Sequence, residues 1–228
     1  MPSLAPILLL ARRRLSLRFL IHLGAWLPAA QLLFQALTGD LTANPIQYLE
    51  QRTGRIALTL LLLSLAVTPL NTLFGWRELL PHRRTLGLYA FFYAAAHVII
   101  FLDLDYGLAW GLITQTVLEK PYIIAGSVAF FLLIPLAITS FDIWKIRLGK
   151  TWKHLHRLVY LIAPLVILHY AWGEKGDFFR LSGEVARPWG YALLFALLMA
   201  LRIPALRRFF TSFRTRVRLS GLLRPPIP

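Results

Sequence analysis

The sequence predicts an all-α fold, a polytopic membrane helix bundle of about six transmembrane helices. Three observations predict it. The 228 residues are 57% hydrophobic and only 15% charged, against about 25% charged in ordinary soluble domains. The apolar residues gather into six runs, each close to the roughly 20 residues that cross hydrocarbon. The charges sort by loop and form no single groove-sized patch, so the net charge of +15 reflects topology and gives no reason to expect nucleic acid.

The runs lie near 19–37, 56–74, 86–102, 122–141, 155–172 and 189–206. Helices are required, because each backbone polar group in lipid must find its partner within the segment. The first run follows Arg12, Arg13, Arg14 and Arg18 and is longer than the roughly 7–15 residues of a cleaved signal, so it reads as a span. Pro135 and Pro164 lie inside the fourth and fifth runs and predict kinks. No internal repeat, low-complexity segment or second domain is visible, and residues 1–228 read as a single transmembrane domain. About twenty residues follow the sixth run, too few for a nucleotide or flavin domain; a soluble redox module is expected as a separate protein.

The charges fix an orientation. One side carries 19 Lys and Arg with Glu78 and Asp142; the other carries six, namely Arg52, Arg55, Lys120, Lys175, Arg180 and Arg187, with eight acids. By the positive-inside rule the basic side is cytoplasmic and holds both termini. Localisation in a bacterial inner membrane follows. The tail arginines Arg207, Arg208, Arg214, Arg216 and Arg218 are expected to meet anionic headgroups of the bilayer, with docking as the alternative. Trp76, Trp110, Trp144, Trp152, Trp172 and Trp189 fall near span ends, as an aromatic belt does.

Chemistry is left to six histidines, since the chain has no cysteine and so no thiolate or iron–sulfur ligands. His97 lies within the third span and His169 near the outer end of the fifth. Counted from Asp103 and Gly173, both sit about 6–9 Å below the same boundary. Ala94, Ala95 and Ala96 leave room beside His97 for a flat macrocycle. Imidazole is a standard axial ligand of haem iron; the bland alternative is a pair of neutral imidazoles hydrogen-bonded between helices. His156 lies 13 residues before His169, about 20 Å along a helix and about 140° around it unless Pro164 changes the phase. It is a ligand candidate or an interfacial residue, and His82 its depth-matched partner or part of a loop. His22 and His154 read as interfacial. Arg77, Arg83, Arg84 and Arg157 can pair with propionates or a phosphate, or simply set topology.

Two segments carry a resemblance: Arg83-Arg84-Thr85-Leu86-Gly87-Leu88-Tyr89, continuing through Ala90-Phe91-Phe92-Tyr93-Ala94-Ala95-Ala96 to His97, and Trp152-Lys153-His154-Leu155-His156-Arg157-Leu158-Val159-Tyr160-Leu161, continuing to His169-Tyr170. Together they resemble the MsrQ (YedZ) family, haem-binding membrane subunits of a bacterial periplasmic protein-methionine-sulfoxide reductase system. That family belongs to the ferric-reductase-like transmembrane group, with NADPH oxidases and STEAP reductases. The resemblance implies haem b on His97, His156 and His169, with FMN at a site that no residue here identifies. It implies electrons from the quinone pool, or from a cytosolic flavin reductase, passing to a periplasmic molybdopterin-containing subunit that repairs methionine sulfoxide. NADPH oxidases carry two histidines on each of two spans, whereas the third span here carries one convincing histidine. The chain is therefore expected to be an electron-transfer subunit without the substrate-reducing site. The alternatives are a stand-alone ferric or cupric reductase, a transporter or proton channel using the histidines as a relay, and a structural anchor.

Overall fold

In the computed structural model the backbone is described over residues 5–174, 176–177, 182–183 and 185–222, and the side chains over 16–174 and 185–215. Helix α1 (Ala5–Thr38) runs along the outside of the bundle against α2 and α3. Helix α2 (Pro45–Phe74) is the central one. It starts sharply because Asn44 Oδ1 accepts the Gln47 N–H at 3.2 Å and Pro45 takes the first helical position, where a missing N–H costs nothing. It stops at Gly75, whose φ of 74° suits a left-handed cap and whose N–H donates to Asn71 O at 2.9 Å.

Helix α3 (His82–Ile99) continues as a π-turn over Ile100–Asp105, which begins three residues after His97. A short helix, α4 (Trp110–Glu119), precedes α5 (Pro121–Ile138). Two short helices, α6 (Asp142–Leu148) and α7 (Lys150–Leu155), lead through a 3-10 turn at His156–Leu158 into α8 (Val159–Gly173). A two-residue antiparallel ribbon, Gly176–Asp177 with Ser182–Gly183, precedes α9 (Ala186–Ala200) and α10 (Pro204–Leu222).

The core is one layer of apolar contacts around α2. Leu58, Leu61, Leu62 and Leu65 pack against Ala90 and Tyr93 of α3, Ala129 and Leu133 of α5, Ile162, Ala163 and Ile167 of α8, and Leu198 of α9. The outward faces are apolar too: Phe19, Trp26, Phe34, Phe92, Phe131, Leu161 and Leu193 are each more than half exposed. An apolar exterior of that extent is what lipid contact requires. Among the described residues, five helical segments are long and apolar enough to cross a membrane, and α9 with α10 makes a sixth if the bent pair counts as one. The chain is thus a polytopic membrane helix bundle, as expected.

Three details differ from the sequence reading. Helix α2 begins eleven residues earlier than the predicted span, so Glu50, Arg52 and Arg55 stand on the helix and outside the loop. Helix α4 occupies what read as a plain connection. The span expected at 189–206 ends at Ala200, and α10 leaves at 74° to α9. Pro204 opens α10; it lacks a donor and disfavours helical geometry at Ile203, which favours a break at this point. Of the charges sorted by side, the side chains of Arg12, Arg13, Arg14, Lys175, Asp177, Arg180, Glu184, Arg216, Arg218 and Arg224 lie outside the described residues.

Cross-helix bonds show which helix ends lie together. The start of α2 meets the end of α3, and the start of α5 meets the end of α8. At the opposite level Ser64 Oγ donates to Arg83 O at 2.9 Å, and Arg84 Nη1 pairs with Asp142 at 2.9 Å. That second end carries the arginine-rich segments and is called the basic end below.

Candidate functional site

The helix pairs α2–α3 and α5–α8 bring the rings of His97 and His169 together, edge to face. Their ring centroids are 6.0 Å apart and the planes cross at 76°. Each ring is fixed by its Nδ1. His97 Nδ1 donates to Glu50 O at 2.9 Å, and His169 Nδ1 donates to Tyr122 O at 2.7 Å. These bonds assign the proton to Nδ1 and leave Nε2 with its lone pair free for a metal.

Glycine makes both bonds possible. In a helix the side chain at i+4 stands over the turn that holds the carbonyl of residue i. The residues four after Glu50 and Tyr122 are Gly54 and Gly126. A Cβ on Gly54 would lie 3.3 Å from His97 Nδ1, and one on Gly126 would lie 2.6 Å from His169 Nδ1. The second position admits no side chain at all while His169 stays where it is. The construction is duplicated: each histidine lies 47 residues beyond the carbonyl it bonds. The sequence shows no repeat, yet the two halves of the bundle present their imidazoles in the same way.

The pair can serve as a metal frame only for a metal that brings further ligands. Among the described residues, no three His, Cys, Asp or Glu side chains group to hold an ion. Two opposed imidazoles match the axial positions of haem iron, whose macrocycle fills the equatorial plane. At 6.0 Å between ring centres, the two imidazoles are near enough that both would hold one haem iron. Both histidines are half-buried.

His156 stands apart from this pair, at the basic end. Its Nε2 lies 3.2 Å from Thr139 Oγ1, which itself donates to Pro135 O at 2.6 Å and so accepts from the imidazole. Trp152 stacks on the ring at 4.1 Å and 30°, and its indole N–H donates to Thr139 O at 2.8 Å. The 3-10 turn at His156–Leu158 means that a phase of 100° per residue does not connect His156 to His169. His82 opens α3 and is buried; its electrostatic neighbours are Arg18 and His22, and no ring contact joins it to His156. His22 is more than interfacial, because its Nδ1 lies 2.7 Å from Tyr89 Oη and ties α1 to α3. His154 is exposed.

The four arginines are at the basic end, far along the helices from the His97–His169 pair. Arg84 is engaged by Asp142 and lies over the Phe141 ring at 5.8 Å. Arg77 is exposed, Arg83 half-buried, and Arg157 lines a cavity described below. Sequence reasoning missed Gly54, Gly126, Thr139 and the bonding role of Trp152. The equal spacing of each glycine from its histidine was the one signal available for the first two.

A bundle of this layout, which brings together histidines of its third and fifth long helices, is a polytopic membrane helix bundle, and the comparisons give its family. The family model described as ferric reductase like transmembrane component matches residues 53–167, half of the chain. That stretch includes His97 and His156 and stops two residues before His169. A protein of Xanthomonas axonopodis pv. citri named protein-methionine-sulfoxide reductase heme-binding subunit MsrQ is 41% identical over 190 residues, covering 81% of this chain and 84% of its own. Proteins of the same name are 44% identical over 72% of each chain in Xanthomonas campestris pv. campestris, and 42% identical over 69% of this chain and 76% of the relative in Caulobacter vibrioides. No solved structure matches. The chain belongs to the MsrQ family of the ferric-reductase-like transmembrane group.

Proposed function

We propose that this protein is the electron-transfer subunit of a bacterial methionine sulfoxide reductase system, holding haem b between His97 and His169. The observation that carries the reading is the opposed pair, 6.0 Å between ring centres, with each Nδ1 committed to a backbone carbonyl. The relatives' name, heme-binding subunit of a protein-methionine-sulfoxide reductase, supports it. Haem bound there supplies a low-spin one-electron carrier with no open coordination position. The chain's own residues do the rest. Glu50 O and Tyr122 O set tautomer and ring orientation and make Nε2 a stronger donor. Gly54 and Gly126 let the rings reach those carbonyls. The apolar helices keep water from the site.

The basic end faces the cytoplasm of a bacterial inner membrane in this reading, which puts His97 and His169 near the periplasmic face. Electrons enter from the quinone pool, or from a flavin (FMN) or flavin reductase, and leave to a periplasmic molybdopterin-containing subunit that reduces methionine sulfoxide. The substrate-reducing site belongs to that partner. His156, held by Thr139 and Trp152, is the ligand candidate for a second site at the basic end, with Arg83 nearby to pair with an acidic group. The test is the haem content of the purified protein. A value of at least one b-type haem per folded chain is expected; a folded, haem-free preparation from haem-replete cells refutes the proposal and favours a histidine relay.

A further inference from the structure

Arg202 sits where the chain turns from α9 to α10, and its position is set by a proline on another helix. Pro69 interrupts α2 and has no N–H to give the carbonyl of Leu65. Arg202 Nη2 donates to that carbonyl at 2.5 Å, and Nη1 donates to Tyr160 Oη at 2.9 Å. Its Nε is buried with no partner. The acceptors are neutral, so the guanidinium is held but its charge is not balanced.

Arg157 and Arg207 line the same cavity of about 510 Å³, together with Thr68, Thr72 and Tyr160. Arg83 is close enough to act on Arg202 electrostatically. Among the described residues no carboxylate pairs with Arg157, Arg202 or Arg207; Asp142 at this end pairs with Arg84. Guanidiniums that line one cavity repel one another unless an anion sits among them. The volume lies within the roughly 300–1,000 Å³ of small-molecule sites. Forked arginine donors with hydroxyls beside them suit phosphate, which offers three acceptor oxygens and up to two charges. Pro69, Met199 and Leu201 supply apolar wall for an organic body joined to that phosphate.

We propose that this cavity binds the phosphate group of an organic phosphate ester at the basic end of the bundle. The ester arrives either laterally, as a lipid headgroup, or from the aqueous side, as a soluble phosphate. The bend of α10 is part of the site, because it carries Arg207 onto the rim while Arg214 donates to Asn71 O and Thr72 O at the end of α2.

The test uses the full chain, delipidated in a neutral detergent and titrated with phenyl phosphate, dioctanoyl phosphatidic acid and dioctanoylglycerol. Saturable binding of at least one phosphate ester is expected, with none of dioctanoylglycerol. Arg157→Gln and Arg207→Gln should each weaken that binding about tenfold, the scale of one charge-assisted contact, with circular dichroism unchanged. Tighter binding of phosphatidic acid identifies a lipid source, and tighter binding of phenyl phosphate a soluble one. No saturation by either ester, or wild-type affinity in both variants, overturns the proposal. Neither result bears on haem held at His97 and His169.

Discussion

Gly126 and His169 are packed so closely that no side chain fits between them: a Cβ on Gly126 would meet His169 Nδ1 at 2.6 Å. The contact exists because the imidazole reaches past the glycine to Tyr122 O at 2.7 Å. A glycine inside a transmembrane helix is here the condition for the orientation of this imidazole.

Gly126→Ala should therefore detach His169 from Tyr122 O and lower haem content severalfold. Alanine favours a helix over glycine by roughly 0.5–1 kcal/mol, so helicity should be kept or improved. Gly54→Ala, where the clash with His97 Nδ1 is only 3.3 Å, should lose less. Haem-to-protein ratios of the two variants check this, and equal haem in Gly126→Ala and wild type contradicts it.

His156 is separated from the opposed pair and bonded to Thr139. His156→Ala should leave the low-spin spectrum of the His97–His169 site in place and reduce total haem by at most one per chain. A pyridine haemochrome assay beside the absorption spectrum decides it. Loss of all haem in a folded His156→Ala variant would show that the axial pairing is different.

Arg202 and Pro69 should be coupled, because the arginine bonds the carbonyl that the proline leaves without a partner. Arg202→Met is expected to cost roughly 1–3 kcal/mol, the range for a buried group left unsatisfied. Pro69→Ala restores a donor to Leu65 O, so the same Arg202→Met change should cost clearly less in that background. Thermal or denaturant unfolding of the four proteins of the cycle measures the coupling; strict additivity rejects it.

Much of this bundle was legible in the sequence because membrane helices announce themselves by composition. The long runs and the loop charges depend on solvation, which each residue carries by itself. His97 and His169 were legible for the same reason, as ionisable groups placed at matching depth. What the sequence hid depends on backbone. Glu50 O and Tyr122 O are carbonyls, identical at every residue, so nothing marks them as the atoms that orient His97 and His169. The break at 201–203 was hidden by apolar residues on both sides, although Pro204 was present to cause it. Arg202 counted only as one more topogenic charge until Leu65 O showed what it bonds.

The most direct measurement is the reduced-minus-oxidised absorption spectrum of the purified protein beside its His97→Ala and His169→Ala variants. The wild type should show a low-spin b-type haem, and each substitution should abolish that signal while the protein stays folded. A low-spin spectrum that survives both substitutions contradicts the assignment of His97 and His169 as the axial pair.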